Sequence, residues 1–371
     1  MSNKYKIDVW ILIPVLLLMI FSIGAVYSAS STFSYDKYQD SNYLFKQHGI
    51  KVIISIITIF VFAKIDYRHL ETISKSLIWI TIFLLIFTLF SSKGPIKGAS
   101  RWINLGPLSF QPSELARYTI VLYVAVLLSR KKDYIYLLYK GYLPVIFYVL
   151  VITGLILIQP NFSVSMIIFS TCMFMIFLSE AKIKHLAFTL LALIPFAGVF
   201  ILSKDYIIGR ITSYAEYQSS GNTSYQLQQA LIGFGNGGLL GIGPGNSNQR
   251  DFFLPEAHGD FIFSIIGEEY GFIGTFIIVS LYFVILTRGY KIAKDSKSEF
   301  GKYLAFGIIT LISLNALVNM SVASGVIPTT GVTLPFVSYG GTSILFTSIA
   351  IGILLNISSQ RDEIDDGLII E

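Results

Sequence analysis

Charge is scarce in this sequence: 13% of its 371 residues are Asp, Glu, Lys or Arg, against about 25% in soluble globular domains. With 54% hydrophobic and 15% aromatic residues, the chain is too apolar for a water-soluble domain, and its solvent is a bilayer. Cysteine is nearly absent. Cys172, the one cysteine, lies inside an apolar run, which excludes an intramolecular disulfide framework or a cysteine metal cluster and makes it a packing residue. The four histidines, His48, His69, His185 and His258, fall in separate connections with no HExxH spacing, and His69 and His185 read as interfacial. Gly233, Gly235 and Gly238 match GxGxxG, but no strand pattern precedes them, so no dinucleotide fold is expected. Internal repeats and low-complexity tracts are missing too. The net charge of +5 sits in short basic clusters between apolar runs, the mark of cytoplasmic loops and not of a nucleic-acid face.

What is present is a succession of apolar runs. About 20 such residues cross the hydrocarbon core, which predicts about ten helices, near 10–29, 48–64, 72–91, 114–129, 142–159, 163–179, 185–202, 261–287, 303–325 and 335–357. The expected fold class is therefore an all-α polytopic membrane protein, a single membrane domain over 1–371 with a long extracytoplasmic loop, 203–260, between helices 7 and 8. The first run follows Lys4 and Lys6, and Ser28-Ala29-Ser30 faintly resembles a signal-peptidase site. Its length and the many equal spans behind it make it an uncleaved helix.

Basic residues alternate with these spans. Lys64, Arg68 and Lys75, then Arg130 to Lys132 with Lys140, then Lys182 and Lys184, and then Arg288, Lys291, Lys294, Lys297 and Lys302 all fall on one side, with Lys4, Lys6 and Arg361 from the termini. That side is cytoplasmic by the positive-inside rule, with both termini inside and an even helix count. The opposite side carries connections at 30–47 and 92–113, the 203–260 loop and the turn Gly325 to Gly331. Ten of the 30 glycines lie in 203–260, and its aromatic and apolar residues predict re-entrant or amphipathic segments folded back onto the membrane.

Charges at membrane depth mark function by default, and those at outer helix boundaries are Arg101, Glu114, Arg117, Asp260, Glu268 and Glu269. Pro112-Ser113-Glu114 suits a helix start, with Glu114 at the positive dipole end. Glu114 and Arg117, three apart, can equally be a simple pair. Glu256, His258 and Asp260 place three ionisable groups within five residues at a helix mouth: an acid/base cluster, or a hydrated helix start with Asp260 as N-cap. Glu268 and Glu269 are adjacent and cannot share one helix face.

The motifs Lys97 to Ile103, Gln111 to Ala116, Arg210 to Ser213, Tyr225 to Leu227, Gly243 to Ser247, Leu254 to Phe263 and Leu334 to Gly341, in this order, resemble the SEDS family of shape, elongation, division and sporulation proteins, to which FtsW, RodA and SpoVE belong. Within it, Pro255-Glu256-Ala257-His258, Gly243 to Ser247 and Pro328 to Gly331 are most similar to the FtsW division branch. Two positions depart from the family pattern: Arg117 stands where Lys is common, and Asn161 where an acidic residue is commoner.

The resemblance implies a glycosyltransferase that polymerises lipid II into glycan strands. Joining an α-linked donor in a β-1,4 linkage needs one inversion, hence one displacement and one general base. The resemblance puts that base on Asp260, whose place at the membrane boundary suits a partly desolvated, more basic carboxylate. Arg101 and Arg210 are candidates for the leaving diphosphate, or else interfacial anchors; Glu114, Arg117, Glu256, His258 and Glu268 are supporting candidates. A divalent cation, Mg²⁺ or Mn²⁺, suits such oxygens, although no spacing specifies one. Implied partners are lipid II and nascent glycan, a class B penicillin-binding protein, other division proteins and membrane lipid, in a bacterial cytoplasmic membrane and enriched at the septum. An elongation polymerase, a lipid II flippase and a division scaffold are the competing readings.

Overall fold

The computed structural model describes residues 7–90, 101–105, 108–220, 225–249 and 257–360. Lys4, Lys6, the stretch 97–100, Arg250 to Glu256 and Arg361 therefore lie outside the described residues. In order along the chain come α1 (Val9–Tyr38), α2 (Tyr43–Lys64), α3 (His69–Phe90), a hairpin of β1 (Ile103–Leu105) and β2 (Leu108–Phe110), α4 (Pro112–Arg130), α5 (Leu143–Ile158) and α6 (Phe162–Leu178). They are followed by α7 (Ile183–Leu202), α8 (Asp205–Ser220), α9 (Tyr225–Gly237), α10 (Ile262–Asp295), α11 (Glu299–Ala323) and α12 (Ser343–Ser359).

A helix satisfies its own backbone groups, which lipid cannot do, so each apolar run of the sequence becomes one. Among the described residues seven segments are long and apolar enough to cross a membrane: α1, α2, α3, 138–158 with α5, α7, α10 and α11. Helices α6 and α12 are apolar but shorter, and α4 carries Glu114, Arg117 and Arg130 within 19 residues. The chain is a multi-pass membrane protein. Helix α11 is central, packing on α4, α6, α10 and α12, while α2 packs closely on α12 and α1. At the α2–α12 contact a Cβ on Gly352 would stand 2.8 Å from the Ile59 carbonyl oxygen, the close approach that small residues permit in lipid. Helix α7 stands apart: only Leu186 and Thr189 are buried, and it touches only α6 and α8 among its larger contacts.

Predicted inner-side charges do meet at one end of the bundle. Arg288 pairs with Asp8 at 2.7 Å, Arg130 with Glu71 at 3.0 Å and Lys132 with Glu299 at 2.8 Å. The Asp8 amide donates to Ser358 Oγ and the Tyr67 amide to Asn356 Oδ1, drawing α12 into the same end.

Several boundaries differ from expectation. Helix α1 runs on to Tyr38, so the 30–47 connection shrinks to 39–42. The 92–113 connection contains a short hairpin, and 203–260 holds two helices, α8 and α9. The largest difference is at 335–357, where the helix begins only at Ser343. Pro335 has no N–H, Phe336 sits at φ 66°, and the Leu334 amide donates to Ser338 Oγ and not to a helical partner. This irregular backbone is tolerated because Leu334 to Ser338 are buried in protein. Asp260 is not an N-cap either; α10 starts at Ile262, with Phe261 at the cap position.

Candidate active site

Asp260 stands just before α10 with its backbone held on every side. The Tyr339 amide donates to the His258 carbonyl (2.9 Å), Ser338 Oγ to that of Gly259 (2.7 Å), and Asn319 Nδ2 to that of Asp260 (2.9 Å). Asp260 Oδ2 lies 3.4 Å from the point where a Cβ on Gly331 would stand, so the carboxylate faces the 328–331 turn. The neighbouring Thr330 carbonyl accepts from Ser163 Oγ on α6 (3.0 Å) and from Arg210 Nη1 on α8 (3.3 Å).

Arg101 reaches the same neighbourhood from the β1 side. Its Nε donates to the Gln159 carbonyl at 3.0 Å and its Nη2 to that of Pro160, at the α5–α6 turn that leads into Ser163. Gln159 is itself tied to α3, its amide donating to Leu85 O and Thr88 Oγ1. Burial, with the repulsion of Arg210 and against the pull of Tyr206, holds Arg101 below the ordinary arginine range. Even so, an arginine stays protonated. Tyr206 shifts the opposite way: burial pushes its phenol up, while Arg101 and Arg210 pull it down. The Arg210 guanidinium carbon lies 5.9 Å from the Tyr206 ring centroid, within cation–π range. A cleft of about 360 Å³ opens here, with Tyr206, Arg210, Ser213, Tyr214, Pro328 and Thr329 in its wall.

One carboxylate, the Arg210 guanidinium and a cleft therefore converge on the 328–331 turn, with Arg101 held beside them at the 159–160 turn. The other sequence candidates take different places. Glu114 and Arg117 pair at 3.2 Å, about 6–7% exposed, and Arg117 Nη1 donates to Asn315 Oδ1 on α11 at 3.2 Å. They form a buried strut between α4 and α11. His258 packs its ring between Phe33 (5.1 Å) and Tyr339 (5.5 Å). Glu268 is fully buried and receives Ser247 Oγ, Asn236 Nδ2 (3.2 Å) and the Gln249 amide (3.4 Å), while Glu269 receives Ser28 Oγ on α1. As adjacency required, they face opposite ways, and Glu268 anchors the 247–249 chain and does not line the cleft. Glu256 lies outside the described residues. Cys172 is buried, as a packing residue should be.

From sequence alone Ser163, Tyr206, Asn319 and Ser338 receive no role, although Ser338 lies in the Leu334 to Gly341 motif. Asn319 also carries a signal: Asn315 and Asn319 are amides four apart in an apolar 25-residue helix, and polar groups at that depth face the protein interior.

A family model described as a cell cycle protein of the FtsW, RodA and SpoVE group matches residues 8–363. The chain is 35% identical over 357 residues to the probable peptidoglycan glycosyltransferase FtsW of Geobacter metallireducens, covering 96% of this chain and 95% of that protein. It is 38% identical over 360 residues to the stage V sporulation protein E of Bacillus subtilis, covering 96% and 98%. A chain from a peptidoglycan synthase complex, solved for its coordination of polymerization and crosslinking, overlays with TM-score 0.78 at 24% identity, covering 96% of this chain and 99% of that one. The rod shape determining protein RodA of Thermus thermophilus overlays with TM-score 0.71, also at 24% identity, covering 97% and 99%. At that identity the two structures show a shared fold.

Proposed function

This chain belongs to the FtsW, RodA and SpoVE family, and from that premise we propose that it is a peptidoglycan glycosyltransferase which polymerises lipid II during cell division, most like FtsW. The observation that carries the reading is that the Asp260 carboxylate and Arg210 meet at the 328–331 turn, with Arg101 near enough to act electrostatically on Arg210 and Tyr206. Asp260 takes the proton of the acceptor sugar's 4-hydroxyl as its oxygen attacks the donor's anomeric carbon. The bond from that carbon to the lipid diphosphate breaks in the same displacement, inverting the α linkage to β. Negative charge grows on the departing diphosphate, where the guanidiniums of Arg101 and Arg210 stabilise it. The buried Glu114–Arg117 pair supports α4 from beneath. The lipid tails enter sideways between helices.

Among the described residues no three His, Cys, Asp or Glu side chains cluster. A Mg²⁺ or Mn²⁺ ion here would take Asp260 as a protein ligand and most of its other oxygens from diphosphate and water. Polymerisation that persists in excess EDTA would set the ion aside; loss restored by Mg²⁺ or Mn²⁺ would establish it.

The proposal extends to ten spans in one domain, with both termini in the cytoplasm and the protein concentrated at the septum of a bacterial cytoplasmic membrane. The meeting of Asp8, Arg288, Glu71, Arg130, Lys132 and Glu299 at one end supports that orientation. A class B penicillin-binding protein supplies the crosslinking activity, alongside other division proteins. The test is incubation of the protein in liposomes with labelled lipid II, with and without its cognate penicillin-binding protein. Glycan polymer with release of one undecaprenyl diphosphate per sugar pair added is expected. Movement of lipid II across the bilayer without polymer would favour a flippase, and neither outcome a scaffold.

A further inference from the structure

The backbone ties at Asp260 are more specific than folding requires. Three consecutive carbonyls, those of His258, Gly259 and Asp260, each receive a donor from an element distant in sequence: the Tyr339 amide, Ser338 Oγ and Asn319 Nδ2. Both side chains among them have a second task. Ser338 Oγ accepts from the Leu334 amide at 2.8 Å, fixing the turn from which it donates. Asn319 Nδ2 donates its other hydrogen to the Val332 carbonyl at 2.7 Å.

That second bond is the informative one. Val332 follows Gly331, the residue against which the Asp260 carboxylate lies. A single amide on α11, 1% exposed, thus holds both walls of the site: the chain that bears the carboxylate and the chain that it faces. Both of its neighbours are carbonyls, so the amide nitrogen and not its oxygen must point at them. Two hydrogens serve two acceptors. Hydroxyl, carboxylate and apolar side chains lack that capacity.

We propose that Asn319 and Ser338 are positioning residues for the Asp260 carboxylate, setting its distance from the 330–332 chain; the inference rests on Asp260 acting as the base. Fixing the Asp260 carbonyl fixes its Cα and Cβ, leaving only the side-chain torsions to settle the carboxylate. A displacement of about 1 Å at a reacting group lowers turnover by about 100-fold. The effect falls on kcat, since both residues act through the backbone that bears the reacting carboxylate.

The test is glycan polymerisation from labelled lipid II by the full-length protein in liposomes with its penicillin-binding protein, for Ser338→Ala, Ser338→Thr, Asn319→Asp and Asp260→Ala. Melting temperature in detergent is measured for each. Ser338→Ala is expected to lower kcat by about 10-fold or more at an unchanged KM, and Ser338→Thr, which keeps the hydroxyl, to restore most of it. Asn319→Asp, similar in size but without two donors, falls further. If Asn319→Asp does not fold, the serine pair decides. Wild-type kcat in Ser338→Ala, or a loss that follows the melting temperature and is not rescued by threonine, overturns the inference while an inactive Asp260→Ala keeps the base assignment. Activity in Asp260→Ala removes that assignment and this inference with it.

Discussion

Glu114 and Arg117 illustrate how far neighbouring residues can be read from spacing. Three apart at the start of a helix, they are natural partners, and they do pair. Asn315, which completes the strut, lies 198 positions away, and nothing local announces it. Removing one partner of a buried pair costs about 3–5 kcal/mol, because the survivor is left charged and unpaired. Glu114→Ala should therefore lower the melting temperature by many degrees, or prevent accumulation of folded protein, whereas Arg117→Lys should lose only about 1 kcal/mol as the bond to Asn315 goes. Thermal unfolding in detergent separates the two; equal loss in both variants would mean that the guanidinium shape, not its charge, holds the strut. The same distinction explains the rest of the site. Spacing leaves Glu256, His258 and Asp260 as either an acid/base cluster or a hydrated helix start, and only the family resemblance singles out Asp260; Asn319 and Ser338 bond backbone carbonyls, which carry no residue identity.

Helix α10 is not continuous. Gly271 sits at φ 64° and ψ −162°, a conformation essentially confined to glycine. The break frees backbone groups, and the chain after α9 takes them up. Phe272 and Ile273 donate to the carbonyls of Gly238 and Leu239, and the carbonyls of Glu268 and Glu269 accept from Ile242 and Gly243. Glu268 adds Ser247, Asn236 and the Gln249 amide, so a glycine-rich chain is stitched onto the helix that follows Asp260. A Cβ at Gly271 would press on the Gly241 amide and the Leu239 carbonyl. Gly271→Ala should cost about 1–3 kcal/mol in backbone strain alone and detach this chain; limited proteolysis should then cut within 238–249 sooner than in the wild type. Unchanged cleavage would show that the break does not depend on glycine. The sequence displays the glycine richness of 203–260 plainly, yet the partner of those glycines is set by tertiary contact. For the same reason 335–342 is drawn into the last expected helix by the apolar run that follows it, and its hydrogen bonds to 258–259 reveal that this stretch is needed elsewhere.

Apolar periodicity and basic clusters carry the architecture as a whole, since the bilayer imposes length and sidedness directly on the chain. Seven of the ten expected spans match a helix to within about five residues at both ends, whereas α1 and α10 run on about eight or nine residues further and the last helix starts about eight residues later. Sidedness is testable because Cys172 is the chain's one cysteine. In a Cys172→Ala background, cysteine in place of the exposed Ser219 should react with a membrane-impermeant maleimide in intact cells, and cysteine in place of the exposed Lys294 only after permeabilisation. The reverse pattern would invert the topology and move the Asp260 site to the cytoplasmic face.

One carboxylate thus faces the 328–331 turn that Arg210 also reaches, and the backbone that bears it is held in a polar cradle. The most direct test replaces that carboxylate by its isosteric amide. Asp260→Asn, purified with its penicillin-binding protein and given labelled lipid II, should be folded, should melt near the wild-type temperature and should make no glycan polymer. Polymer made by Asp260→Asn at the wild-type rate would contradict the account.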